Sequence, residues 1–289
     1  MAEDRVDALY WKSLPDRAIE CQLCPHRCRI NDGKAGRCRA RRNMGGNLIA
    51  WSYGKITSLA LDPIEKKPLK YFYPGSYIFS AGSFGCNFRC DFCQNWTISQ
   101  QEAPFRQMLP ADLVALAEKA VSQGNIGVAH TYNEPLVSYE FVLDCARLTR
   151  AAGLKTVLVS NGFIEPEPLA ELLPWVDAMN IDLKAWQASF YKTICGGDLE
   201  VVKRNIQTAA AACHVEVTTL LLPGLNDSEA DVSDLARWLA GIDADLPLHL
   251  TRHHPDYQRT EPGPISIRRL TDLAGLARQH LNRVLLGNV

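Results

Sequence analysis

The chain has 289 residues, of which 47% are hydrophobic, enough for one large domain or a large domain with a small one, so disorder is excluded as the main state. Thirty-one lysines and arginines against 32 aspartates and glutamates leave a net charge of −1, which gives no bulk attraction to nucleic acid or to an anionic membrane. Residues 1–12 carry acids, Trp11 and no apolar run, so no secretory signal is expected; no stretch approaches the about 20 apolar residues that span a bilayer, and a cytoplasmic location is expected. Ten cysteines then stand out, seven of them before Asn95. In a reducing compartment such clustering points to metal more than to disulfides.

In chain order, Cys21, Cys24, Cys28 and Cys38 come first, in a segment crowded with arginine, asparagine and glycine. It reads as an irregular loop held by something other than a core. Residues 47–61 place β-branched and aromatic residues on both sides of Gly54, which predicts a short hairpin. Pro63, Pro68 and Pro74 follow and suggest a boundary, dividing the chain into an N-terminal cysteine-rich extension (1–75) and a larger unit (76–289).

Beyond Gly75 short apolar runs alternate with longer amphipathic segments. Strands are predicted at 77–81, 127–131, 155–159, 178–183, 215–222 and 246–251, and helices at 110–122, 137–152, 167–173, 199–212 and 228–240, with Asp227 or Ser228 as an N-cap. This alternation implies an α/β fold with a parallel sheet, either a (β/α) barrel or a doubly wound sheet. Polar groups decide between them. Residues 82–93, 132–134, 160–161, 182–184 and 252–254 all fall at or just past the ends of predicted strands, where barrels carry their reactive groups. The expected fold is a partial (β/α)6 TIM-like barrel with a cysteine-rich N-terminal extension.

After the first of these strands, GSFGCNFRCDFCQNW places Cys86, Cys90 and Cys93 in one loop. Three soft thiolates this close suit a soft metal or an iron-sulfur cluster. A closed structural zinc site takes four ligands, and the loop holds no fourth cysteine or histidine, so one metal position stays open for a substrate or cofactor. The competing reading is a zinc knuckle completed from elsewhere in the chain.

The CxxxCxxC spacing, with the aromatic Phe92 before the third cysteine, resembles the radical S-adenosylmethionine enzymes. The resemblance implies a [4Fe-4S] cluster held by Cys86, Cys90 and Cys93, with the fourth iron chelated by S-adenosylmethionine. It also implies reductive cleavage of that cofactor to methionine and a 5′-deoxyadenosyl radical that abstracts a substrate hydrogen, the protein supplying position and exclusion of water. The motifs CQLCPHRC, DPIEKKPL, YFYPGS, GCNFRCDFCQNW, TYNEP, SNG, NIDLKAW, LLPGLND and HLTRHHPDY together resemble the radical enzyme of the AmmeMemoRadiSam system, a relative of the pyruvate formate-lyase activating enzymes. Memo-type and AMMECR-type proteins are the partners this implies, with an electron donor such as flavodoxin or ferredoxin. Members of that family continue past LGNV into a further CxxC pair; this sequence ends at Val289, and a metal site built from such a tail is expected to be absent or truncated.

The same resemblance suggests roles for other strand-end groups. Asn133 and Glu134, beside Tyr132, match the place where the amino group of S-adenosylmethionine is held, a carboxylate and an amide carbonyl suiting an ammonium donor; a helix cap before Pro135 is the plainer reading. Ser160 and Asn161 match positions near the cofactor's methionine or ribose portion, although SNG also makes an ordinary turn. Asp182 and Lys184 face one side of a strand end and suit ribose hydroxyls and a carboxylate, or else pair with each other inside the barrel. His253 matches a histidine near the cofactor in the activating enzymes, with Arg252 and His254 beside it.

Cys21, Cys24, Cys28 and Cys38 have the number for a closed tetrahedral site, with His26 as a spare ligand. Their spacing does not choose zinc from a second iron-sulfur cluster. A structural metal is the primary expectation, because the segment has little apolar content to fold on; an accessory cluster feeding electrons to the first is the sharper alternative. Arginines 27, 29, 37, 39, 41 and 42 make this segment basic, a docking face for an acidic partner or a solvated loop. Cys145 and Cys213 read as small buried hydrophobes, and Cys195 as a candidate to face the site.

Three functions follow from these residues. The first is a radical enzyme abstracting hydrogen from an unidentified substrate. The second is a radical enzyme modifying a small molecule with partner proteins. The third is a non-catalytic metal scaffold or electron carrier, with a cluster but no cofactor turnover.

Overall fold

The computed structural model describes residues 5–289. Eight strands form its main sheet: β1 (Ser58–Pro63), β2 (Tyr77–Gly82), β3 (Asn125–His130), β4 (Lys155–Ser160), β5 (Ala178–Asp182), β6 (His214–Leu221), β7 (Leu248–Arg252) and β8 (Val284–Gly287). They lie side by side in chain order. β1 runs antiparallel to β2 and every later pairing is parallel. Because β1 and β8 are the two edges and do not pair with each other, the sheet is an open partial barrel.

Between the strands run α1 (Pro110–Lys119), α2 (Tyr139–Ala151), α3 (Pro166–Leu172), α4 (Leu199–Ala210), α5 (Glu229–Ala240) and α6 (Ile267–Ala277). Six strand-then-helix units are therefore present as the alternation implied, and β8 adds a seventh parallel strand. Ser228 is the cap expected for α5, its hydroxyl accepting from the Asp231 N–H. Ser266 caps α6 in the same way. That helix buries Leu270, Leu273, Ala274 and Ala277, a 3–4–7 spacing that marks one helical face, and it was not among the elements predicted.

The hairpin expected around Gly54 is not formed. Arg42–Met44 pairs instead with Asn47–Ile49 about Gly45 and Gly46, both at positive φ, as a tight hairpin turn requires. Lys55–Ile56 pairs with the distant Arg106–Gln107, and Ser58–Pro63 joins the main sheet. The sheet thus starts before residue 76, and Ile19, Leu23, Ile30 and Leu48 share one buried core with Phe88, Leu136 and Phe163.

The segment after β1 closes the lower end of the barrel. Leu69 and Phe72 pack against Ile78, Ala129, Val157 and Ala178 of β2 to β5, where the two alanines leave room for a plug. Polar bonds hold it there: the Lys70 and Tyr71 N–H groups donate to Glu216 at 2.9 and 2.7 Å, and Asn180 donates to the Pro68 carbonyl at 2.8 Å. With the lower end filled, the opposite rim is left for chemistry.

Candidate active site

At that rim the C-terminal ends of β2 to β8 surround a cleft of about 370 Å³. Cys86, Cys90, Cys93, Phe92, Asn133, Glu134, Ser160, Asn161, Asp182 and Lys184 all line it, so sites up to about a hundred residues apart in sequence meet because each follows a strand of one sheet. His253 is not brought to this surface. It is buried, at 1% exposure, near Asp91 and Arg259, where the Arg259 guanidinium donates to Asp91 at 3.0 Å and clamps the cysteine loop from outside. Arg252 donates to the Ile265 carbonyl, and His254 is exposed.

The cysteine loop is held chiefly by two amides. Asn133 accepts from the Ser83 N–H at 2.9 Å and donates to the Gly85 carbonyl at 3.1 Å. Asn161 donates to the Asn87 side-chain carbonyl at 2.8 Å, lies 3.6 Å from the Cys86 sulfur, and accepts from the Phe163 N–H. Both residues line the cleft, and their amides also position the loop that carries the thiols. Further donors converge on sulfur, with the Phe88 N–H 3.3 Å from Cys86 and the Ser99 hydroxyl 3.1 Å from Cys93. Donors to cluster sulfurs are one of the means by which proteins set reduction potential.

Glu134 makes the cap of the plainer reading and also faces the cleft. It caps the turn at Pro135–Ser138 by accepting from the Leu136 N–H, and it lines the cleft. Ser160 Oγ and the Asn161 N–H also donate to it, at 2.7 and 2.8 Å. Burial pushes its carboxyl up to about 7 against the pull of these donors, so a cation arriving beside it gains from its ionisation. Asp182 and Lys184 line the cleft and also form, at 2.7 Å, the pair that was the alternative to cofactor binding. Burial alone would lower the Lys184 ammonium, but Asp182 together with the neighbouring Cys90 and Cys195 outweighs that and holds it above its ordinary range. Burial likewise pushes the Cys86 thiol well up, a cost that metal coordination reverses by taking the thiolate outright.

A second polar group in the cleft had no role assigned from sequence. Lys67, 2% exposed, donates to Asp62 at 2.7 Å, and the Tyr132 hydroxyl donates to the same oxygen at 2.6 Å. Lys67 also lies 4.6 Å from the centre of the Tyr132 ring. Tyr132 has φ +72, a conformation that costs energy outside glycine and clusters at functional sites. The DPIEKKPL motif was the available signal, since it carries both Asp62 and Lys67.

Of the remaining cysteines, Cys145 is fully buried and Cys213 half-buried at the core edge. Cys195 is fully buried against Cys90, outside the cleft lining.

Residues 82–239 match the radical SAM superfamily. The chain belongs to that superfamily. It is 43% identical over 289 aligned residues to an uncharacterized protein of Methanocaldococcus jannaschii, covering 98% of this chain and 85% of that protein. With a GTP 3′,8-cyclase of Pseudomonas entomophila it shares 29% identity over 176 residues, 59% of this chain and 51% of the cyclase, so it spans about half the length of that relative. Streptococcus suis SuiB bound to S-adenosylmethionine superposes with a TM-score of 0.54 at 12% identity, over 71% of this chain and 48% of that one, a likeness of fold. Membership in the radical SAM superfamily implies a [4Fe-4S] cluster and S-adenosylmethionine. The donor set suits such a group: three thiols from one loop line an open cleft, with the Phe88 N–H and the Ser99 hydroxyl beside their sulfurs. No helix among the described residues is long and apolar enough to cross a membrane.

Proposed function

We propose that this radical SAM enzyme abstracts hydrogen from its substrate in the manner of the glycyl-radical activating enzymes, as a member of the AmmeMemoRadiSam type. Cys86, Cys90 and Cys93 hold the [4Fe-4S] cluster in this reading. When bound, cluster and S-adenosylmethionine together supply reductive cleavage of the cofactor to methionine and a 5′-deoxyadenosyl radical, which takes the hydrogen atom. The observation that carries the reading is the convergence of the three thiols, Glu134 and the Asp182–Lys184 pair on one cleft at the C-terminal rim of a parallel sheet.

The chain's own groups bind and orient. Glu134 offers an anionic acceptor to the cofactor's amino group, and Lys184 an ammonium to its carboxylate. Asp182 and Ser160 serve its ribose and methionine portions. Phe88 and Phe92, both in the cleft lining and buried, exclude water from the thiol side. Asn133 and Asn161 keep the loop in place and face the cofactor's side of the cleft. A one-electron donor such as flavodoxin or ferredoxin, with Memo-type and AMMECR-type proteins, completes the proposed set of partners; the substrate is a protein or small molecule that fits the remaining cleft.

Anaerobic reconstitution, reduction and addition of S-adenosylmethionine test this by release of 5′-deoxyadenosine. Product from the wild type and none from Cys90→Ala is the expected result. No product from the wild type, or undiminished product from the variant, overturns the assignment.

A further inference from the structure

The group around Asp62 takes no part in the cofactor's proposed contacts, and its charges do not balance. Asp62 is buried, and its two carboxylate oxygens take three donors. Oδ2 receives Lys67 Nζ at 2.7 Å and the Tyr132 hydroxyl at 2.6 Å, while Oδ1 receives Lys66 Nζ at 3.4 Å. Two ammonium groups therefore share one carboxylate. Glu65, the other acid of this segment, is engaged elsewhere, accepting from the Gly75 N–H at 2.8 Å. Lys66, Lys67 and Tyr132 line the cleft, with the buried Asp62 behind them.

The two lysines differ in what they can give up. The Lys67 side chain is 3% exposed and makes the close contact, whereas that of Lys66 is 67% exposed and makes the long one. A separation of 3.4 Å lies beyond the usual range of about 2.7–3.2 Å for an N–H···O bond, and an exposed pair of this kind holds weakly. Lys67 and Tyr132 thus occupy Asp62, and Lys66 is the cation that an incoming anion can draw away at little cost. Burial lowers the Lys67 ammonium by more than Asp62 raises it, and Lys66 adds to the lowering. A further anion at this corner of the cleft stabilises both cations.

Tyr132 is held here against strain. Its φ of +72 and the bond from the Asn133 N–H to the Thr131 carbonyl at 3.0 Å make a γ-turn of the rare, strained kind. The turn sets the ring over Gly82, where a Cβ would lie 2.9 Å from Tyr132 Cδ2, with the hydroxyl on Asp62. Strain of this sort persists only where the surroundings hold it, and it gathers at functional sites. Its beneficiary is the lysine corner, because Glu134 and Asp182 have their own supports in Ser160, Asn161 and Lys184.

We propose that Lys66, backed by Asp62, Lys67 and Tyr132, binds an oxyanion of the substrate, so that the substrate of this enzyme carries a carboxylate or a phosphate. This rests on the radical reading above, which makes the occupant of the cleft beside the cofactor the substrate. On binding, the oxyanion pairs with the Lys66 ammonium and Asp62 is left to Lys67 and Tyr132; no covalent bond forms or breaks.

Equilibrium titration of the anaerobically reconstituted full chain, in the presence of S-adenosylmethionine, with phenyl phosphate, benzoate and the neutral benzyl alcohol tests the site. The wild type is expected to bind one or both anions more tightly than benzyl alcohol. Tighter phenyl phosphate assigns a phosphate-bearing substrate, and tighter benzoate a carboxylate-bearing one. Lys66 is exposed, so Lys66→Ala keeps the fold; it is expected to weaken anion binding roughly tenfold, and Lys66→Arg to restore it. Asp62→Asn removes the competing carboxylate and is expected to tighten anion binding, a direction that a merely structural Asp62 does not produce. Anions bound no better than benzyl alcohol, or equally well by Lys66→Ala, overturn the site, and so does weaker binding in a folded Asp62→Asn. If Asp62→Asn does not fold, the Lys66 variants decide. Release of 5′-deoxyadenosine by the wild type keeps the two readings apart. Release with no anion bound overturns the oxyanion site alone, and Lys66-dependent anion binding with no release overturns the radical reading alone.

Discussion

Asn133 grips both sides of the turn that leads into the cysteine loop, its carbonyl accepting from the Ser83 N–H at 2.9 Å and its amide donating to the Gly85 carbonyl at 3.1 Å. Ser83 and Asn133 are buried, so removing the amide leaves the Ser83 N–H without its partner, at about 1–3 kcal/mol, while the Gly85 carbonyl keeps the Glu134 N–H at 3.4 Å. Asn133→Ala is expected to lower unfolding stability by an amount in that range and to speed loss of iron to a chelator. Asn133→Asp, which keeps the acceptor and loses the donor, should fall between. Iron release at the wild-type rate from the alanine variant would show that the loop does not depend on this grip.

Glu134 makes a different prediction, about affinity. A charge-assisted bond to an ammonium contributes about 1.5–3 kcal/mol, so Glu134→Gln is expected to weaken S-adenosylmethionine binding by roughly ten- to a hundredfold. Burial holds the wild-type carboxyl at about 7, and the ammonium favours its ionised form. Affinity in the wild type should therefore fall as pH drops below about 7. The glutamine variant should lose this dependence. Equilibrium titration of the reconstituted protein between pH 6 and 8 reads both, and an unchanged affinity in the variant removes Glu134 from the cofactor's amino group.

The contrast between Asn133 and Glu134 marks what the sequence made legible. Alternating apolar and amphipathic runs disclosed the six βα units, and the rule that barrel chemistry gathers at strand ends brought nearly every candidate residue to one cleft. Roles were harder, because Asn133 and Asn161 meet partners 48 to 50 and 74 to 75 positions away, distances that no local pattern reports. Gly54 misled for a related reason: its neighbours Lys55 and Ile56 pair with Gln107 and Arg106, a non-local choice that a turn residue does not announce. α6 had a legible face at Leu270, Leu273, Ala274 and Ala277, and β8, four residues long, is too short to show a period. The Asp62–Lys67–Tyr132 group was half visible in DPIEKKPL, but only the fold brings Tyr132 to it.

Gly85 tests the contact between the two cysteine sets. Its φ is +91 and a Cβ there would lie 2.3 Å from the Cys38 carbonyl, so Gly85→Ala must strain its own backbone and push the N-terminal segment outward. Gly45 has φ +69, and a Cβ there would meet nothing within 4 Å, which makes Gly45→Ala the control for conformational strain alone, at about 1–2 kcal/mol. Gly85→Ala is expected to cost more than the control in denaturant unfolding. It should also increase protease cleavage within residues 20–40. Equal losses in the two variants would mean that the Cys38 contact yields without resistance.

Against the segment that closes the lower end of the barrel, Glu216 gives the fold an acid-sensitive fastening. Its carboxylate receives His214 at 3.0 Å, His249 at 2.6 Å, and the N–H groups of Lys70 and Tyr71. Burial pushes the carboxyl up, but these four donors together outweigh it and hold the group at about 2, below its ordinary 4.5. A depressed carboxyl stabilises the folded state fully above the unfolded value and loses that contribution as pH falls through the folded one, which sets the window between about 4.5 and about 2. Glu216→Gln removes the buried charge from its partners, a change that costs about 3–5 kcal/mol where a buried pair is broken. The variant should be destabilised by that order at pH 7, and the gap to wild type should narrow steadily as pH falls through the window. Denaturant unfolding of both chains at pH 7, 5 and 3 measures it; a gap that stays constant to pH 3 would place the carboxylate's contribution elsewhere than in its ionised form.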